Sequence, residues 1–108
     1  MAEIIKNISQ MNLGLASGPV YFGEVTYAPG GSCGPRRQRD YQLVVIHRGE
    51  VELRLDRRSI RLAAGEAILL RPRHREHFLF SRDGETRHSW CSLRPAAVPK
   101  ALRRHFRG

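Results

Sequence analysis

From Val20 onward the hydrophobic positions recur with a period near two, the period of strands whose side chains alternate between faces. Val20 to Tyr27 alternates β-branched, aromatic and polar residues and predicts a strand. Tyr41 to His47 is almost continuously apolar, as a strand covered on both faces would be. Val51, Leu53 and Leu55 alternate with Glu52 and Arg54, so one face is buried and the other wet, and Ile60 and Leu62 continue the inward set beyond an Asp56–Arg58 turn. Ala67 to Arg71 is a buried strand ended by Pro72, and Glu76–Ser81 and Thr86–Arg94 are the last two strands. By composition, Ala28–Pro35 is a loop, and Arg48–Glu50 and Ala63–Glu66 are turns. Arg82–Glu85 carries Asp-Gly, a hairpin signal. Gly49, Gly65 and Gly84 are the turn positions expected to take positive φ.

At least seven short strands with turn chemistry between them predict an antiparallel sandwich or barrel. No long helical stretch separates the strands, so a parallel βαβ sheet is excluded. Residues 1–17 form an arm leading into the fold, with room for a turn of helix. Lys100 to Arg107 starts a helix with Leu102 and Phe106 on one face. With 108 residues, 41% of them apolar and 27% charged, the chain fits one folded domain and is too apolar for general disorder. No apolar run is long enough to span a membrane, and no basic start followed by an apolar core marks a secretory signal. Cys33 and Cys91 do not make a disulfide framework and fit a reducing compartment, so the expected location is cytoplasmic. The net charge of +9 comes almost wholly from arginine, since Lys6 and Lys100 are the only lysines. Such a surface attracts polyanions. The charges are scattered, however, and the aromatics sit in strand patterns, which argues against direct reading of bases.

Three segments taken together carry a family likeness. They are Tyr41–Glu50, then Leu62–Pro72 with His77-Phe78, and last Arg87–Pro95. In order and spacing they resemble the N-terminal effector-binding domain of AraC-family transcription regulators, a small cupin. The resemblance implies an all-β, cupin-like double-stranded β-helix, a jelly-roll barrel with an N-terminal arm and a short C-terminal helix. Its boundaries would be the arm at 1–17, the effector-binding barrel at 18–95, and the start of a linker or dimerisation helix at 96–108. It implies a small-molecule effector, no enzymatic activity, and a homodimer in the full-length form. DNA would be bound through a C-terminal helix-turn-helix domain that lies outside this chain.

Many cupins hold a metal with a His-x-His pair and a Glu in one motif and a His in a second. Counting back from Gly49, the Glu position falls on Gln42. The His pair falls on Pro35 and Arg37, or on Arg36 and Gln38 if the spacing is one shorter. Pro72 and His77 stand where the second motif places its Pro and His, with His74 in place of the usual glycine. One ligand does not hold a catalytic ion, so neither metal nor other cofactor is expected.

The candidate binding residues follow from alternation and from the resemblance. His88, Trp90 and Ser92 share one face of the last strand, and Arg87, Ser89, Cys91 and Leu93 the other. An indole stacks on the C–H face of a sugar, and an imidazole bonds a hydroxyl. In the family's arabinose-responsive member a His and a Trp two apart in this strand face the sugar, and the resemblance puts His88 and Trp90 there. Arg36 and Arg37 offer a guanidinium over the barrel mouth, suited to carboxylate or phosphate. Phe78 and His77 are further lining candidates, while Phe22 and Tyr27 are expected to pack in the core or at the barrel end. The competing assignment makes Trp90 a core filler and His88 a satisfied core histidine. The alternatives for function are a small stand-alone cupin enzyme, of isomerase or lyase type, and a basic module that contacts nucleic acid.

Overall fold

The computed structural model describes residues 3–6 and 21–95. They form strands β1 (Glu3–Lys6), β2 (Tyr21–Tyr27), β3 (Ser32–Arg37), β4 (Tyr41–Arg48), β5 (Glu50–Leu55), β6 (Arg58–Ala63), β7 (Glu66–Leu70), β8 (Arg75–Phe80) and β9 (Thr86–Leu93). All pairings are antiparallel, in a five-stranded sheet of order β1-β7-β4-β9-β2 and a four-stranded sheet of order β3-β8-β5-β6. This is the all-β arrangement expected. Among the described residues no helix is long and apolar enough to cross a membrane.

The two sheets close on one apolar core. Val44, Ile46, Leu53, Leu62, Ile68, Leu70 and Phe78 are fully buried, each from the inward set of its strand. Leu53 sits opposite both Ile60 and Phe78, so one inward row runs across β6, β5 and β8. The apolar run in β4 is explained by its place between β7 and β9. Val44 and Ile46 face the core, while Tyr41 and Leu43 on the opposite face are buried as well.

Several expectations are corrected. Ser32–Arg37 is strand β3, paired with β8, although its Gly and Pro content reads as loop. Arg82–Glu85 is not a hairpin, because β8 and β9 belong to different sheets and the segment arches between them. Gly84 accordingly lacks the positive φ that Gly49 and Gly65 have, at 86° and 87°. Among the described residues from β2 onward only β5–β6 is a hairpin, closed by Asp56-Arg57 with Asp56 at φ 55°. Phe22, expected to pack, is 80% exposed. Residues 3–6, within the expected arm, pair as a strand with β7. The rest of the arm and the C-terminal helix expected after Pro99 lie outside the described residues.

The two left-handed turn glycines differ in surroundings. A Cβ on Gly49 would lie 2.6 Å from the Glu85 carbonyl oxygen, whereas one on Gly65 meets nothing within 4 Å. Gly65→Ala should therefore cost only the left-handed strain, about 1 kcal/mol. Gly49→Ala should cost at least about twice that, because backbone must also move. Urea unfolding of the two variants checks the order, and equal losses would contradict the packing of the β4–β5 arch on Glu85.

Candidate functional site

Beside the packed core, toward β2 and β3, the sheets flank an open-mouthed hollow of about 270 Å³. Its lining comes from β2 (Tyr27), β3 (Cys33, Arg36), β4 (Gln42, Val44) and β9 (His88, Trp90, Ser92), with Gln38 from the β3–β4 connection. Period-two alternation in β9 puts its three residues there. Trp90 finds room because Gly23 is its partner across β2–β9: a Cβ at residue 23 would sit 2.7 Å from the indole. A glycine inside a strand pattern commonly marks such a close approach.

Arg36 reaches the hollow through a bulge. Cys33 pairs with Phe78 and Arg36 with Glu76, so β3 spends three residues where β8 spends two. The extra residue at Gly34-Pro35 reverses the alternation, so that Cys33 and Arg36 both face inward. Gly34, at φ 99°, has no space for a side chain, because a Cβ would meet the Glu76 carbonyl at 2.5 Å.

A polar network fills one end of the site. The Arg36 guanidinium donates to Gln42 Oε1 at 3.0 Å, and Gln38 Nε2 donates to Gln42 Oε1 at 3.0 Å and to Glu76 Oε1 at 2.9 Å. Arg36 Nε lies 3.4 Å from Glu76 Oε1. Glu76 is 1% exposed, and burial pushes its carboxyl above the usual range, against the opposing pull of Gln38 and Arg36. His88 is 5% exposed, its ring walled by Tyr27, Phe78 and Phe80 with centroids 5.4–6.2 Å away. Burial first, then the charges of Arg36 and His47, brings its pKa down to about 4, so it is neutral near pH 7. Arg36 Nε, Glu76 Oε2 and His88 Nδ1 are buried without a hydrogen-bond partner.

His88, Trp90 and Arg36 thus meet in one hollow. Phe78 stands just behind it in the core, with the Arg36 guanidinium 5.8 Å from its ring centre. Arg37 and His77 do not join them. Arg37 is exposed and donates to the Arg73 carbonyl at 2.8 Å, and His77 faces outward with Arg54 and Arg75. Sequence reasoning passed over Glu76 as a site residue, although its period-two relation to Phe78 and Phe80 marks a carboxylate on a buried face. It also treated Gln38 and Gln42 only as substitutes for metal ligands. The donor set does not suit a cupin metal. Arg36, Gln38 and Gln42 occupy the first-motif positions, and among the described residues no three His, Cys, Asp or Glu side chains cluster.

The profile of the AraC-like ligand binding domain matches residues 19–107. Among solved structures the chain is similar to a cupin 2 conserved barrel domain protein from Salinispora arenicola, with TM-score 0.67, 22% identity, 96% of this chain and 83% of that one covered. A cupin superfamily protein from Desulfitobacterium hafniense gives TM-score 0.62 at 19% identity, covering 87% of this chain and 78% of that one. KdgF from Halomonas sp. gives 0.61 at 17%, covering 71% and 72%. These likenesses establish the double-stranded β-helix fold. No curated protein matches the sequence at a significant level.

Burial of neutral His88 links stability to pH. Between about pH 6.5 and pH 4 the unfolded chain binds a proton at residue 88 that the folded chain refuses, so stability rises with pH across this window. The full effect is on the order of 3 kcal/mol, lost as pH falls from the upper to the lower limit. Glu76, raised in the fold, contributes in the opposite sense above its ordinary pKa. The melting temperature of the wild type should therefore fall relative to that of His88→Leu as pH drops from 7 to 4, and parallel curves would show that residue 88 is not buried neutral.

Proposed function

The chain belongs to the AraC-like ligand binding domain family, and from that premise we propose that it is a sensor whose hollow binds a small, uncharged, hydroxyl-rich effector, sugar-like in character. The observation that carries this reading is the lining of the hollow: Arg36 and His88, each with a buried nitrogen that has no hydrogen-bond partner, stand with Gln38 and Gln42 beside the indole of Trp90, and Glu76 lies behind Arg36. Hydroxyls both donate and accept, so one polyol serves an imidazole, a carboxamide and a guanidinium together. A small carboxylate fits less well, because Glu76 already stands beside Arg36 and a second anion would repel it. A volume near 270 Å³ suits a metabolite of monosaccharide size.

Trp90 supplies the flat apolar face, and Gly23 holds that face in place. The guest is bound and not transformed in this reading, and occupancy is passed to a DNA-binding domain, as in AraC-family regulators. The chain then acts in transcription regulation inside the cell, as one half of a homodimer.

A panel of neutral sugars, polyols and the matching sugar acids should contain a neutral member that binds saturably, raises the melting temperature and shifts the emission of the single tryptophan. Trp90→Ala and Gly23→Val should each weaken that ligand at least about tenfold, since each removes or displaces the stacking face. Phe22→Ala, on the outer face, should leave affinity unchanged. Preference for the acids, or affinity unaltered in both hollow variants, would refute the reading.

A further inference from the structure

Among the described residues the arginines are unevenly paired. At the end of the four-stranded sheet where β3 and β5 finish and β6 and β8 begin, Arg57 and Arg58 stand in and beside the β5–β6 turn. Arg37 and Arg75 face each other across β3 and β8. Arg73 is held against the β3–β4 connection by its N–H to the Gln38 carbonyl at 2.8 Å, which brings Arg39 to the same end. Arg54 completes the set on the outer face, opposite His77. All seven are exposed. Among the described residues the nearby carboxylates are Asp56, Asp40 and Glu52. Asp56 is occupied by the Arg75 N–H at 2.9 Å and by His74, and Glu52 lies 3.7 Å from Arg54.

At the opposite end the charges balance. Arg48, Arg61, Arg82 and Arg87 stand among Glu24, Glu50, Asp83 and Glu85, with Arg61 4.0 Å from Glu50 and Arg87 3.4 Å from Glu24. The net positive charge of the described fold is therefore concentrated at one end and is not uniform.

We propose that this arginine-rich end, with the shallow cleft of about 160 Å³ lined by Pro35, Arg54, Asp56, Arg75 and His77, is a docking surface for the phosphate backbone of duplex DNA. Planar guanidinium forks match phosphate oxygens, and arginines on neighbouring strands about 4.8 Å apart form a row that a polyphosphate chain can follow. Two observations favour a duplex over other polyanions. The patch has no Phe, Tyr or Trp ring on which unpaired bases would stack. Phe22, the exposed large hydrophobic among the described residues, belongs to the other sheet, so the patch has no apolar wedge for a lipid bilayer. Such contacts position a protein on DNA without reading its sequence. The proposal concerns the outer face and stands whether or not the hollow binds a sugar.

The test is anisotropy of a labelled random-sequence duplex of about 20 base pairs titrated with the 108-residue chain between about 50 and 200 mM salt. The variant Arg54→Gln/Arg57→Gln/Arg75→Gln should bind at least about tenfold more weakly and flatten the salt dependence by about three. The control Arg48→Gln/Arg82→Gln/Arg87→Gln has the same net charge and should change affinity less than about twofold. Melting temperatures near that of the wild type would show that both variants fold. Equal losses in the two variants would overturn the proposal by showing a diffuse charge effect, as would absence of binding at the lower salt. Tighter binding to phosphatidylserine vesicles than to the duplex, with the same arginine dependence, would overturn it in favour of a membrane.

Discussion

The constraint on which the rest of this structure depends is the burial of one carboxylate. Glu76 is the lone acidic side chain among the described residues to be fully enclosed, and an enclosed carboxylate is costly unless it is hydrogen-bonded or neutralised. It is met by Gln38 and Arg36, and Gln42 ties those two partners together. Arg36 is thereby held across the end of the hollow instead of swinging to solvent. The network resists collapse of the sheets at this end, because closing it with apolar packing would leave Glu76 and Arg36 dehydrated and unpaired. The hollow survives next to a core that is otherwise packed by Ile46, Leu53, Leu62 and Phe78.

Much of this was legible in the sequence, and the failures have physical causes. The alternation of β9 placed His88, Trp90 and Ser92 together because nothing interrupts that strand until Leu93. The same rule did not separate Arg36 from Arg37, because the Gly34-Pro35 bulge shifts the period by one residue. Gly and Pro suggest a loop by composition even when they serve a bulge inside a strand, and β3 was hidden for that reason. Asp83-Gly84 suggested a hairpin because turn chemistry is local, while the choice between returning in one sheet and crossing to the other is decided by tertiary packing. Gly23 carried a signal, a glycine within a strand pattern, but only its partner Trp90 gives that signal meaning.

The polar network also shows what replaces the usual cupin metal donors in this barrel. The resemblance to the family puts one metal-ligand position at Gln42 and a pair at Pro35 and Arg37 or, with the spacing one shorter, at Arg36 and Gln38; of these, Arg36, Gln38 and Gln42 line the hollow. Here those side chains bond to one another and to Glu76, so that a guanidinium supplies the positive charge within the cage. Two glutamines and a glutamate around an arginine form a nearly neutral set of donors and acceptors. A neutral set discriminates by hydroxyl geometry more than by charge, and a mismatched guest leaves buried groups unpaired. His88, held neutral by burial, adds an acceptor or a donor according to its tautomer and no charge.

The inside and the outside of the molecule meet on two strands. On β3, Arg36 faces the hollow and Arg37 faces out; on β8, Glu76 faces in while Arg75 and His77 face out. The peptide units between them carry β3–β8 hydrogen bonds and the Asp56 contact with the Arg75 N–H. A guest that draws Arg36 or Glu76 inward acts on the same backbone that positions Arg37 and Arg75 on the basic end. If the two surfaces both take ligands, their occupancies are linked through these strands, and linkage is reciprocal: whatever factor a guest imposes on polyanion affinity, the polyanion imposes on the guest. The single sheet separating the sites is what keeps the path short.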